Sequence, residues 1–273
     1  ALLAGIPQSP SRLRPDRHPE RAKKRREMVL KSMLANTYIS QKQLSVSNGE
    51  SVEAGHYSFP LAAPHFGIWA HKKYPAESVL RTSLDSLLQD TAENMLKDRL
   101  SELSAYGVQN GAVVILENKT GKIRALVGSN NFFDKDHSGQ VNGAFSKRSP
   151  GSCLKPFTYA IGFDLGLYTP RMILADVPVQ YQGYAPLDYS KKYRGPVTVR
   201  ESLADSLNVP AVEVLQKAGY QKLYAFLKQA GITTLTKQPE QYGLSLTLGT
   251  AEVRLLELVN AYAVLARLGV AQP

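Results

Sequence analysis

The sequence predicts a chain of the α/β class, α+β in type, with helices packed on an antiparallel sheet. Three observations lead there. Residues 111–128 hold two short apolar runs separated by a turn sequence, the pattern of a hairpin. Elsewhere apolar residues recur at three- and four-residue spacing, and several of these stretches run into a glycine, as helices do. The length of 273 residues and a hydrophobic content of 43% allow one large or two ordinary domains with a full core.

Residues 1–10 are apolar and then turn-like. After Pro15 and Pro19, a charged stretch from Glu20 to Ala35 predicts a helix whose apolar stripe is Ala22, Met28, Val29 and Met33. Much of the net charge of +10 comes from the stretch between Ser11 and Gln43, where Arg12, Arg14, Arg17, Arg21, Lys23, Lys24, Arg25, Arg26, Lys31 and Lys42 face only Asp16, Glu20 and Glu27. No aromatic interleaving accompanies that run, which argues against nucleic acid and for a helix face near anionic lipid or polymer. Residues 45–74 carry Gly, Pro and His without sustained periodicity, as a connector would. His56, His65 and His71 lack metal-ligand spacing and are expected at the surface or in packing roles. A helix follows, with Leu84, Leu87, Leu88, Ala92, Met95, Leu100 and Leu103 as its stripe and an end near Gly107.

The predicted hairpin pairs Ala112–Leu116 with Ile123–Val127 through the turn Asn118-Lys119-Thr120-Gly121, where Gly supplies the turn conformation. A helix is expected from Ser152 towards Leu165, stopping near Gly166. Residues 176–194 are irregular and tyrosine-rich. Thr198 and Glu201 form a capping box that opens a helix towards Asn208. Helices over 210–218 and 221–230 come next, the second ending at Gly231. A last helix is predicted to open at Gly249-Thr250-Ala251-Glu252 and run through Arg267 to Gly269, with Leu255, Leu256, Val259, Tyr262, Ala263 and Ala266 buried.

The chemistry concentrates at Arg148-Ser149-Pro150-Gly151-Ser152-Cys153-Leu154-Lys155-Pro156-Phe157. On a helix, Ser152 and Lys155 share a face one turn apart, so the amine can reach the hydroxyl. The free N–H groups of the first turn favour negative charge developing at Ser152. A lysine serves as a base when burial or a neighbouring cation favours its neutral form, and the apolar Leu154, Phe157, Tyr159 and Ile161 offer burial. Cys153 is the single cysteine, so there is no intrachain disulfide and no thiolate metal cluster; it is expected to pack beside the nucleophile.

This segment resembles the active-serine motif of penicillin-binding proteins, in which Ser-x-x-Lys is followed by a Ser-x-Asn element and then by Lys-Thr-Gly. Ser206-Leu207-Asn208, followed by Val209-Pro210-Ala211, resembles the second motif as class A members carry it; Ser202, with no Asn two residues on, is its structural counterpart. Lys119-Thr120-Gly121 spells the third motif but precedes the other two and is expected to be only a turn. Residues 1–40 resemble the closing part of a family 51 peptidoglycan glycosyltransferase domain. The resemblance implies a penicillin-binding transpeptidase or serine β-lactamase-like fold, truncated before its last strands. It divides the chain into the end of a glycosyltransferase domain (1–43), a connector (44–80) and an incomplete transpeptidase domain (81–273) without the third motif.

The resemblance further implies a bifunctional class A enzyme of peptidoglycan synthesis, a serine D,D-transpeptidase working through an acyl-enzyme. Ser152 would be the nucleophile, Lys155 its base, Ser206 a proton relay, and Asn208 a residue that orients Lys155 and binds the substrate amide. Stem peptides and the lipid-linked precursor would be substrates and β-lactams covalent inhibitors. No cofactor, metal or nucleic acid is implied. The parent would sit at the periplasmic face of the inner membrane in the bacterial envelope, anchored by an N-terminal helix outside this chain. The competing class is a penicillin-binding sensor or a non-catalytic cell-wall-binding module.

Overall fold

The computed structural model describes residues 1–51, 54–55, 61–181, 184–187 and 192–271. The chain divides into two compact units, Ala1–Leu61 and Ala62–Pro273. No helix of the described residues is long and apolar enough to cross a membrane.

The first unit is helical: α1 (Leu2–Gly5), α2 (Pro10–Leu13), α3 (Pro19–Ala35) and α4 (Gln41–Gly49). The predicted stripe on α3 is only partly right. Ala22, Arg26 and Leu30 are buried, one turn apart, whereas Met28 is exposed. The short helices pack along the line of Ala22, and there Arg26 buries its stem while its guanidinium donates to the Glu50 carbonyl at 3.0 Å. Helix α4 opens with a capping box between Ser40 and Gln43.

The second unit begins inside the stretch expected to be irregular. Helix α5 (Pro64–Lys73) starts with proline at its first position, where the missing N–H costs nothing. Phe66, Trp69 and Ala70 recur at helical spacing there, a signal that the surrounding Gly, Pro and His obscured. His65 is buried, its Nε2 within 2.8 Å of the Ser129 hydroxyl and 3.0 Å of the Gly139 carbonyl, and burial lowers its pKa. His71 is exposed, and His56 lies outside the described residues.

Helix α6 (Ser86–Leu103) is capped by Asp85 and closes through a 3₁₀ turn at Gly107, whose φ of 75° needs glycine. Its buried line is Gln89, Ala92 and Leu100, with Leu96 packed alongside. Leu87 and Met95, expected inside, are 74% and 67% exposed on the adjoining face. The reason is Gln89. Its amide donates to the Leu126 carbonyl at 3.1 Å and accepts from the Leu126 N–H at 2.8 Å, so it satisfies the outer edge of a strand and turns that side of α6 inward.

That strand belongs to the predicted hairpin, β1 (Val113–Leu116) and β2 (Ile123–Val127), antiparallel with Val114 opposite Leu126. Leu126 and Val114 face Phe66 and Ala70 of α5, whereas Ala125, Val127 and Val113 face Ala92 of α6. Packing on both faces explains why the two runs are apolar at every position but Arg124, whose guanidinium bonds the Ser83 carbonyl and the Glu117 carboxylate. Replacing Gln89 with leucine would strand both buried backbone groups of Leu126. We expect a loss of about 2–6 kcal/mol, at about 1–3 kcal/mol for each of the two unsatisfied groups, read as a lower urea midpoint at constant m-value. An unchanged midpoint would show that the amide is not what holds the edge.

Beyond the hairpin come β3 (Lys147–Arg148), a 3₁₀ turn at Gly151–Leu154, α7 (Lys155–Asp164), β4 (Ile173–Asp176), β5 (Gly195–Thr198) and α8 (Val199–Ala204). They are followed by α9 (Asn208–Ala218), α10 (Tyr220–Gln229), α11 (Pro239–Tyr242), a 3₁₀ segment Gly243–Leu248, β6 (Val253–Arg254) and α12 (Leu255–Ala266). The described strands form three two-stranded antiparallel sheets, β1–β2, β3–β6 and β4–β5. The last two were not foreseen, because two- to four-residue strands carry too little periodicity to register. Strand β6 also displaces the expected start of α12 to Leu255. Its buried residues are Leu258, Ala261, Ala263 and Val264, whereas Tyr262 and Ala266 are exposed. A helix apolar nearly all round does not specify its inner face.

Helix α7 lies between two cores. Leu154 and Phe157 enter one with Leu215, Leu223, Leu227 and Leu246, and Tyr159 enters the other with Val199, Leu207 and Val214. Gly162 lets α7 approach α9, since a Cβ there would lie 3.0 Å from Val214. The capping box at Thr198 and Glu201 forms as expected, and the Thr198 N–H and hydroxyl hold the Glu201 carboxyl below its usual pKa.

Candidate functional site

Ser152 lies in the 3₁₀ turn, not in the α-helix expected to begin there; α7 starts at Lys155. The pair still stands three residues apart, with Ser152 exposed and Lys155 only 1% exposed. Among the described residues no hydrogen bond is made to the Ser152 hydroxyl, so its oxygen is open to an incoming group. Leu154 and Phe157 sink into the core on either side of Lys155 and carry its stem inward.

The lysine amine reaches the segment between α8 and α9. It donates to the Ser206 carbonyl at 2.5 Å, to the Ser206 hydroxyl at 3.1 Å and to the Asn208 side-chain oxygen at 2.6 Å. Three oxygens thus surround the amine, and of these the Ser206 hydroxyl can either accept a hydrogen from the nitrogen or donate one to it. Ser206 can present carbonyl and hydroxyl together because its φ is +55°, a left-handed conformation that a serine adopts only when its surroundings impose it. The capping box fixes α8, the buried Leu207 anchors the chain just beyond Ser206, and α9 begins at Asn208. The Asn208 amide donates to the Leu187 carbonyl at 2.6 Å, which orients its oxygen towards Lys155.

The serine turn is held from two further sides that the sequence did not reveal. Gly249, at φ +84°, lies so close that a Cβ would fall 2.3 Å from the Gly151 nitrogen, and its carbonyl accepts from the Ser149 hydroxyl at 2.7 Å. The Tyr262 hydroxyl donates to the Cys153 carbonyl at 2.7 Å while its ring meets Phe157 edge-on. Cys153 itself does not pack inside. Its side is exposed and lines a cleft of about 810 Å³ with Pro150, Val253 and Leu258.

Two decoys separate from the site. Ser202 is buried and bonds the Tyr159 hydroxyl and the Val199 carbonyl, a structural role. Lys119-Thr120-Gly121 forms the hairpin turn: the Thr120 hydroxyl bonds the Glu117 carboxylate, and the Gly121 N–H donates to the Glu117 carbonyl at 2.8 Å with φ +69°. Thr120 and Arg124 hold the Glu117 carboxyl below its ordinary range.

Motifs about fifty residues apart thus meet at one buried amine, which places the chain among proteins built on Ser-x-x-Lys and Ser-x-Asn. The model of the penicillin binding protein transpeptidase domain matches residues 111–273, and the chain belongs to that family. It is 36% identical over 272 residues to penicillin-binding protein 1C of Escherichia coli strain K12, spanning 98% of this chain and 34% of that protein. To penicillin-binding protein 1F of Bacillus subtilis strain 168 it is 30% identical over 287 residues, across 98% of this chain and 39% of that one. The chain therefore spans between a third and two fifths of these relatives. In fold it is similar to penicillin-binding protein 1A of Haemophilus influenzae, with a TM-score of 0.72, 20% identity, and coverage of 96% of this chain and 55% of that chain. It is also similar to PonA1 of Mycobacterium tuberculosis, solved in complex with penicillin V, with a TM-score of 0.59, 20% identity, and coverage of 78% and 58%.

Proposed function

We propose that this chain carries the acylating part of a serine D,D-transpeptidase that cross-links peptidoglycan stem peptides. The Ser152 hydroxyl attacks the carbonyl of the penultimate D-alanine and its proton passes to the Lys155 amine. The backbone N–H of Ser152, in the first turn of its 3₁₀ segment, faces the developing oxyanion. The carbon–nitrogen bond breaks, and the Ser206 hydroxyl relays a proton to the departing D-alanine amine. An amine of a neighbouring stem then attacks the ester and gives up a proton, which Lys155 and Ser206 pass to the Ser152 oxygen as the ester bond breaks, forming the cross-link and freeing the Ser152 hydroxyl. Asn208 holds the Lys155 amine and offers its amide to the substrate backbone. β-Lactams enter by the same attack and remain as the ester.

In this proposal residues 1–43 end a glycosyltransferase domain that uses the lipid-linked precursor, residues 44–80 connect, and residues 81–273 begin the transpeptidase. The parent works at the periplasmic face of the inner membrane. The observation that carries the proposal is the buried Lys155 amine bonded to both Ser206 and Asn208. Peptide mapping of a penicillin adduct on the full-length parent tests it: the adduct is expected on Ser152 and absent after Ser152→Ala. An adduct on Ser206, or labelling that survives that substitution, would refute the assignment.

A further inference from the structure

A groove of about 680 Å³ opens beside α9, α10 and α11, within the range of about 300–1,000 Å³ that ligand clefts occupy. It is lined by Tyr184, Tyr220 and Tyr242, by Gln216 and Gln221, and by Glu240, the single charged residue of its lining among the described residues. The tyrosines are half-buried and the glutamines exposed, so aromatic faces sit behind a rim of amides. An ionic ligand would find little counter-charge here. An apolar one would leave the amides unpaired. Amides and phenol hydroxyls both donate and accept, and ring faces take C–H groups, a combination suited to an uncharged, hydroxyl- and amide-bearing chain. Burial raises the pKa of Tyr181 and Tyr184, keeping both hydroxyls protonated.

Both walls of the groove lead to the lysine and serine. Tyr181 and Tyr184 form a β-bridge, and three residues later the Leu187 carbonyl holds Asn208, at most about 11 Å of extended chain away. On the other wall, Leu244 and Ser245 belong to the 3₁₀ segment that ends at Gly249 against Gly151; four residues at about 2 Å of rise cover about 8 Å. A peptide of a few residues, extending about 3.3–3.6 Å per residue, bridges such a separation.

We infer that this groove binds the saccharide chain bearing a stem peptide while that stem's end reaches Ser152. The inference rests on the transpeptidase function proposed above and gives it a second point of attachment. The test uses the full-length parent and uncharged oligomers of N-acetylglucosamine carrying a photoactivatable diazirine, with crosslinks mapped by mass spectrometry. Crosslinks are expected at Gln180, Tyr181 or Tyr184, or within residues 216–221 or 240–245. Tyr184→Ala and Gln221→Ala should each reduce them about fivefold, the scale of about 1 kcal/mol per anchoring contact, while benzylpenicillin acylation stays within about twofold. Because Gln221 is exposed, its removal leaves the core intact. Crosslinks confined to other segments, or undiminished in both variants, would overturn the inference, and so would displacement of the chains by free stem peptide. Failure to find an adduct on Ser152 would instead overturn the transpeptidase proposal, whatever the saccharide does.

Discussion

Lys155→Met in the full-length parent is expected to slow β-lactam acylation by about 100-fold or more, the scale of losing a positioned base. Methionine fills much of the buried stem's volume, so the change isolates the amine from the packing around Leu154 and Phe157. It also leaves Ser206, held at φ +55°, without the group that its carbonyl and hydroxyl face. Lys119→Ala is the control. That residue spells the first letter of a third motif but stands exposed in the hairpin turn, so acylation should stay within a few-fold of the parent. The measurement is the second-order rate of labelling by a fluorescent penicillin. Equal damage from the two substitutions would mean that the motifs have been ordered wrongly.

Gly249→Ala is expected to lower the same rate by about 100-fold, because displacements near 1 Å at a reacting centre carry costs of that size. The added Cβ would lie 2.3 Å from the Gly151 nitrogen and 2.5 Å from its Cα, both backbone atoms that cannot swing aside. The φ of +84° strains any side chain further. Something must shift, and the atoms that the Cβ would meet belong to the 3₁₀ turn that carries Ser152. Ser149→Ala removes only the 2.7 Å bond to the Gly249 carbonyl and should cost a few-fold. Far-ultraviolet circular dichroism on each variant separates a displaced turn from a collapsed fold. A Gly249→Ala protein that acylates within threefold would show that the contact plays no part in holding Ser152.

Much of the candidate site was legible in one dimension. Ser152 and Lys155 fall within one turn, so local geometry alone brings them to one side of the backbone. Ser206 and Asn208 were legible through their neighbours and their order, and the turn at Gly121 through the residues that such a turn demands. The hairpin was clear because helices pack on both of its faces, which favours apolar residues at nearly every position. Helix starts at Thr198 and ends at Gly107 and Gly269 were written in caps, which are local interactions.

What the sequence determined by itself is therefore what rests on contacts between near neighbours: the hairpin, the capped helices, and the serine–lysine pair. What only the tertiary structure decided rests on contacts between residues far apart. The inner face of α6 is set by Gln89 bonding to the backbone of Leu126, and leucines that periodicity would bury are left outside. The inner face of α12 is chosen by its neighbours, since nearly every face is apolar. Gly249 reaches across about a hundred positions to Gly151, and a backbone approach of that kind leaves no trace in the sequence except a glycine, which also serves in every turn. Strands of two to four residues pair only because the chain has already brought them together.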